Sequence, residues 1–355
     1  VIEGRDTAAS ADPCEREALL WEPRDDGAVQ CALCAHGCRI PDGAAGLCGV
    51  RKNRAGTLRT LVYGRLVARN VDPVEKKPFF HVRPGSLSYS IATAGCNFRC
   101  AHCQNYEISQ VQRDRDAIPG RFVPPEAVVA AALETGCASV AYTYTEPTIF
   151  FEYALDCMKL ARKAGLLNLF VTNGYESPAC VEAALPYLDA ANVDLKAMTD
   201  TFYRKICGAR LDPVLRTIRE LWQRGVWVEV TTLVIPHHND APEELREAAR
   251  FLASVSPDLP WHVTGFYPTY RLTTEPPTAP SALEAARRIG LEEGLRYVYS
   301  GNRPGRGGEE TRCPSCGRTV IGRLGFAVTE NVLTPAGRCP GCSQAIAGLA
   351  LGGGT

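Results

Sequence analysis

The sequence predicts an α/β fold: a partial (β/α)6-type TIM barrel with a small N-terminal Cys-rich module and a C-terminal zinc-ribbon-like module. Two observations carry this expectation. Between residues 87 and 302, short apolar runs alternate with segments of helical periodicity. Eleven of the 16 cysteines fall into three tight sets, at 31/34/38/48, 96/100/103 and 313/316/339/342: one before the alternating region, one inside it and one after it. The implied layout is an N-terminal metal-binding module over 1–60, a connector over 61–86, the barrel over 87–302 and the tail module over 303–355.

The elements follow in chain order. The connector carries turn chemistry at Asp72-Pro73 and Pro84-Gly85. Residues 87–93 read as the first barrel strand, with the inner cysteine loop directly behind it. Further strands are expected over 138–145, 167–172, 191–195, 227–235 and 262–266, with 297–300 as a terminal strand. Helical patterns cover 148–163, a segment starting near Ser177-Pro178, 242–254 and 281–289. Such alternation implies a parallel sheet with helices outside it. A Gly-rich break over 301–308 separates the tail.

Composition narrows the function. The chain has 355 residues and is 45% hydrophobic, enough for one large core. Lys+Arg and Asp+Glu are both 39, so no basic footprint argues for nucleic acid or an anionic membrane. No apolar run approaches the roughly 18 residues of a membrane span. The polar N-terminal stretch lacks a signal-peptide core, and a cytoplasmic location is expected. In that reducing compartment a disulfide framework is out of place, and clustered thiolates point to metal or iron–sulfur sites. The scattered Cys14, Cys137, Cys157, Cys180 and Cys207 read as small buried hydrophobes.

The inner set lies in Gly95-Cys96-Asn97-Phe98-Arg99-Cys100-Ala101-His102-Cys103-Gln104-Asn105. Three thiolates spaced C-x3-C-x2-C can hold three irons of a [4Fe–4S] cube and leave the fourth without a protein ligand, as a catalytic cluster requires. A structural zinc knuckle would need a fourth ligand, His102 or a distant group. Glu146, Asn173, Asp194 and Lys196 fall at or just after strand ends, where α/β barrels build their sites. In the tail, Cys313/Cys316 and Cys339/Cys342 form two C-x2-C knuckles, the pattern of a structural zinc ribbon, with rubredoxin-like iron the rival for the same donors. Cys31, Cys34, Cys38 and Cys48 can close a structural zinc site or hold an auxiliary [4Fe–4S] cluster, and His36 could replace one of them; the balance leans to structural metal.

These motifs resemble a known family. The C-x3-C-x2-C loop, Glu146-Pro147, Thr172-Asn173-Gly174, Val193-Asp194-Leu195-Lys196 and the Pro236…Asp240 turn stand in the order found in pyruvate formate-lyase activating enzymes. More closely, the chain resembles the AmmeMemoRadiSam system radical S-adenosylmethionine (SAM) enzymes. That likeness spans nearly the whole chain and rests on Cys31-Ala32-Leu33-Cys34, Cys48-Gly49-Val50-Arg51, Asp72-Pro73-Val74-Glu75-Lys76-Lys77-Pro78, the 95–105 loop, residues 142–151, Pro260-Trp261-His262 and residues 297–302.

The resemblance implies reductive cleavage of SAM at the cluster to a 5′-deoxyadenosyl radical, which abstracts hydrogen from an unidentified substrate. It implies an electron donor such as flavodoxin or ferredoxin and possible pathway partners of the AmmeMemoRadiSam system. Lys196 matches a lysine that binds the SAM carboxylate, and Asp194 an acidic residue near the same ligand. The 144–147 segment, with Glu146, matches one that meets the SAM ammonium. Tyr267 stands where activating enzymes carry a SAM-contacting His, so Tyr267 or His262 would substitute. His102 replaces a carbocyclic aromatic, and His237 a glycine. Two alternatives stay open: an activase that makes a glycyl radical on a partner protein, and a non-enzymatic metal-binding interaction protein.

Overall fold

The computed structural model describes residues 12–110, 117–302 and 307–352. The first eleven residues of the N-terminal module and part of the Gly-rich break therefore lie outside the described residues. Nine strands form one sheet, in the spatial order Val298–Gly301, Trp261–Gly265, Trp227–Val234, Ala190–Asp194, Leu167–Thr172, Ser139–Tyr142, Leu87–Thr93, Arg65–Pro73, Arg121–Phe122. The first seven in that order pair in parallel. Their crossovers carry the helices Pro125–Glu134, Phe151–Lys163, Pro178–Ala184, Leu211–Gln223, Pro242–Val255 and Pro280–Glu292. Six strand–helix units and a closing strand make the open α/β barrel that the sequence predicts, and the sheet does not close on itself.

Local chemistry sets the elements. Pro125, Pro178, Pro242 and Pro280 each open a helix, where a missing N–H costs nothing and a fixed φ suits the first turn. Ser177 caps its helix by accepting from Cys180 N at 3.1 Å. Val140, Ala141 and Tyr142 are all fully buried, because a parallel sheet is covered on both faces.

The connector differs from expectation. It contains the nine-residue strand Arg65–Pro73, paired antiparallel with Leu87–Thr93. Asp72-Pro73 ends this strand, and one turn, Val74–Lys76, follows. An antiparallel neighbour needs no helical crossover. Arg69, Asn70 and Val71 are exposed at the edge, which breaks the alternation that would have announced a strand.

The flanking segments dock differently. In the N-terminal segment, Val29, Leu33, Ile40, Val50 and Leu58 join the same hydrophobic core as Tyr89, Ile91 and Ile149 of the barrel. Arg51 and Glu152, both buried, pair across that junction at 2.7 Å. The tail builds a three-stranded sheet, Thr311–Arg312, Thr319–Leu324 and Ala327–Asn331, over a small core of Val320, Ile321, Leu333 and Ile346. Phe80 of the connector and Tyr297 and Tyr299 of the barrel complete that core.

Glu229 ties this end together. Its carboxylate accepts from Phe80 N (3.0 Å), His81 N (2.8 Å) and Trp227 Nε1 (3.2 Å), and lies 2.6 Å from His262 Nε2. Burial works against its charge, but His262, His81 and the Phe80 amide hold its pKa below the ordinary 4.5. A depressed carboxyl stabilises the fold above its unfolded pKa and loses that contribution as pH falls. Glu229→Ala should destabilise the protein by about 3–5 kcal/mol at pH 7, the scale for leaving one side of a buried pair alone. Glu229→Gln should cost less and flatten the stability loss below pH 4.5. Urea unfolding at neutral and acid pH checks both.

Candidate active site

The site is built on the loop that leaves Leu87–Thr93. Gly95 turns it with φ +101°, and a Cβ there would meet Val50 Cγ1 at 2.7 Å and Cys48 O at 3.0 Å. Only glycine allows the loop to press so closely on the N-terminal segment. Backbone bonds pin the turn: Gly95 N to Ile108 O (2.8 Å), Arg99 N to Cys207 O (2.8 Å) and Ala101 N to Ile206 O (2.9 Å). Cys100 is buried; Cys96 and Cys103 are half-buried. Phe98 N donates to Cys96 Sγ at 3.4 Å, and Ser109 Oγ lies 3.1 Å from Cys103 Sγ.

Glu146 and Asn173 hold this loop from below. Asn173 Nδ2 donates to Asn97 Oδ1 at 2.6 Å and stands 3.9 Å from Cys96 Sγ. Its own amide donates to Glu146 Oε2 at 2.8 Å. The other Glu146 oxygen accepts from Thr148 N (3.0 Å), Thr148 Oγ1 (2.6 Å) and Thr172 Oγ1 (2.9 Å). Burial, with Glu176 close by, pushes the Glu146 carboxyl up to about 7. The Glu146 oxygens are thus engaged inside the protein, where they support the loop.

Asp194 ends its strand, and Lys196 follows by two residues. Lys196 Nζ lies 3.0 Å from Asp194 Oδ2. Burial disfavours the lysine charge, yet Asp194, Cys100 and Cys207 together hold its pKa well above the ordinary value. This cation thus sits beside the cysteine loop. Next to it, Tyr203–Cys207 forms a single π-helical turn that ends on Gly208 at φ +72°. Such turns often mark functional positions. The Cys207 carbonyl accepts from Arg99 N, so this cysteine is buried as expected but also packs against the cysteine loop. No spacing in the sequence announces it.

His102 is buried, and its Nδ1 has no partner among the described residues. Burial first, then Lys196 and His238, lowers its pKa to about 3, so the ring is neutral. Tyr267 is 47% exposed beyond the end of Trp261–Gly265, with its hydroxyl 3.4 Å from Asn302 O. His262 is not brought to the loop. It is the second residue of its strand, bound to Glu229 and stacked on Tyr299 at 5.2 Å, at the end of the sheet that meets the tail. The expectation that it substitutes in SAM binding is corrected by that placement.

A polar group within the Asp72–Pro78 block also reaches the site. Lys77 Nζ donates to Asp72 Oδ2 at 2.5 Å, and the Tyr144 hydroxyl bonds the same carboxylate. Tyr144 has φ +63°, a strained conformation for a bulky residue, and its carbonyl accepts from Asn105 Nδ2 at 2.7 Å. The block thus links the first two strands to the far end of the cysteine loop.

The donors fit their groups. Three thiols on a pinned loop, with Asn97 Nδ2 and His102 Nδ1 buried and unpartnered nearby, suit an iron–sulfur cluster with one open iron. The tail sulfurs of Cys313, Cys316, Cys339 and Cys342 all lie within 4.8 Å of one another. Cys313–Cys342 and Cys316–Cys339 are 3.5 and 3.7 Å apart. Four thiolates about 2.3 Å from one tetrahedral ion would be about 3.8 Å apart, so this set is shaped for a single metal. Among the described residues, no helix is long and apolar enough to cross a membrane.

Comparison with known proteins agrees with this geometry. The Radical SAM superfamily model matches residues 90–252. The uncharacterized protein MJ0808 of Methanocaldococcus jannaschii is 43% identical over 333 residues, covering 93% of this chain and 98% of that protein. An isethionate sulfite-lyase activating enzyme of Oleidesulfovibrio alaskensis is 30% identical over 125 residues, 34% of this chain and 40% of that enzyme. The pyruvate formate-lyase-activating enzyme of Clostridium pasteurianum is 22% identical over 179 residues, 48% of this chain and 74% of that enzyme. The chain is an enzyme that belongs to the radical SAM superfamily, homologous to the pyruvate formate-lyase activating enzymes.

Proposed function

We propose that the chain is an AmmeMemoRadiSam-type radical SAM oxidoreductase acting on a substrate held in the open barrel. The observation that carries this reading is the three-cysteine loop with the Lys196–Asp194 pair beside it. When bound, a [4Fe–4S] cluster would supply an electron and an open iron for reductive cleavage of SAM, the chemistry that starts hydrogen abstraction from substrate. Cys96, Cys100 and Cys103 would hold three irons. Lys196 screens the SAM carboxylate, and Asp194 fixes the lysine's position. Glu146 and Asn173 keep the loop rigid from below. Tyr267, exposed beyond its strand, is the remaining candidate for a late SAM contact.

The electron comes from a flavodoxin- or ferredoxin-type donor, as the activating-enzyme likeness suggests. The tail set holds zinc, which stabilises a small module by closing it on itself. The 1–60, 61–86, 87–302 and 303–355 division serves this reading, with the connector contributing a strand to the barrel sheet. Homology to activating enzymes supports a second reading, in which the hydrogen donor is a glycine of a partner protein.

Cys100→Ala should abolish 5′-deoxyadenosine formation while far-UV circular dichroism stays unchanged; retained cleavage would sink the reading. Lys196→Ala should weaken SAM binding by about 1–3 kcal/mol without changing iron content, the scale for losing a charged hydrogen-bond partner. Anaerobic titration measures it, and unchanged affinity would move the carboxylate contact to Tyr267. For the tail, Cys316→Ser should remove about one zinc per chain, read by metal analysis of the purified protein.

A further inference from the structure

The N-terminal cysteines are arranged unlike those of the tail. Cys31, Cys34, Cys38 and Cys48 line one small, partly open pocket of about 20 Å³, and among the described residues only the tail set gathers its sulfurs within 4.8 Å of one another. Leu33, Ile40 and Ile149 supply apolar wall. Four thiolates that share one ion draw together, as the tail sulfurs do. Four thiolates at the corners of an iron–sulfur cube are held apart by the cube. A lined space among thiols, rather than convergence on a point, is what the larger group requires.

The rest of the wall suits that group. Arg51 lines the cavity, is 1% exposed, and places a guanidinium beside an all-thiolate site that would carry net negative charge. Glu152 balances it at 2.7 Å, and Arg51 Nε has no partner. Asn97 lines the same cavity, and its Nδ2, also buried, has no partner. Donors of this kind hydrogen-bond cluster sulfurs and tune their potential.

Asn97 also belongs to the catalytic loop, next to Cys96. His36 Nε2 lies 2.8 Å from Asn97 O, and Cys48 O would stand 3.0 Å from a Cβ on Gly95. The cavity and the catalytic loop therefore share a wall one residue thick. We infer that Cys31, Cys34, Cys38 and Cys48 hold a second, fully cysteine-ligated [4Fe–4S] cluster adjoining the SAM-cleaving one. With four protein ligands it has no iron open to substrate. Its role is to exchange single electrons with its neighbour, drawing on the same low-potential donor class; no bond forms or breaks in that step. This inference uses the proposed function only for the neighbour's identity.

The test separates the two clusters. In the full chain, replacing Cys96, Cys100 and Cys103 together by alanine removes the SAM-cleaving cluster. After anaerobic reconstitution this variant should keep about four irons and four sulfides per chain and show no SAM cleavage. Adding Cys34→Ser and Cys38→Ser should remove them, with tail metal and circular dichroism as folding controls. If the combined variant does not fold, the unaltered chain decides: about eight irons, and a reduced-state electron paramagnetic resonance signal broadened by two interacting clusters. A triple variant with no iron, a second zinc per chain, or about four irons in the unaltered chain would each overturn the inference. Failure of the SAM reading would show separately, as absent cleavage by an unaltered chain that still holds both clusters.

Discussion

Glu146 is a buried carboxyl with no cation directly paired to it among the described residues, and much of the site hangs from it. Its oxygens collect donors from three places: the turn that follows its own strand, Thr172 at the end of the next strand, and the amide of Asn173. Asn173 then grips the cysteine loop at Asn97. Strand ends that would otherwise diverge are gathered under the loop by one side chain. Burying such a group without partners would be prohibitive, and each of its bonds is therefore a constraint on where the loop lies.

Above that support, charge and sulfur are interleaved. Lys196 keeps its proton despite burial because Asp194 and two thiols surround it, whereas His102, near the same lysine, is kept neutral. The three cysteine sets divide by spacing as well as by place: the tail sulfurs converge, the N-terminal sulfurs line a small pocket without converging, and the central three spread along a loop. Metal chemistry in this chain is thus written into distances between sulfurs more than into the count of cysteines.

Much of the barrel was legible from the sequence. The strand over 87–93 and the helical pattern after 148 coincide with observed elements because parallel strands and amphipathic helices leave periodic apolar traces. Arg65–Pro73 was not legible, since an edge strand with Arg69 and Asn70 exposed carries no such trace. The Lys196–Asp194 pair could be read because two opposite charges two residues apart stand at the end of a strand. Cys207 could not: it meets the loop through a π turn and backbone pairing with Arg99, a tertiary relation. His262 misled for the opposite reason. Its position in the strand puts it at the tail-facing end, and a strand's two ends look alike in one dimension.

The open sheet has two raw edges, and an unpaired edge is a template for adding another chain. At one edge the antiparallel Arg65–Pro73 is followed by the two-residue Arg121–Phe122, too short to nucleate further pairing. At the other, Val298–Gly301 is taken up by the tail: Ser300 N donates to Gly308 O at 3.0 Å, and Tyr297 and Tyr299 enter the tail core. The tail and the connector strand thus act as edge guards, which leave the barrel open for chemistry without inviting aggregation.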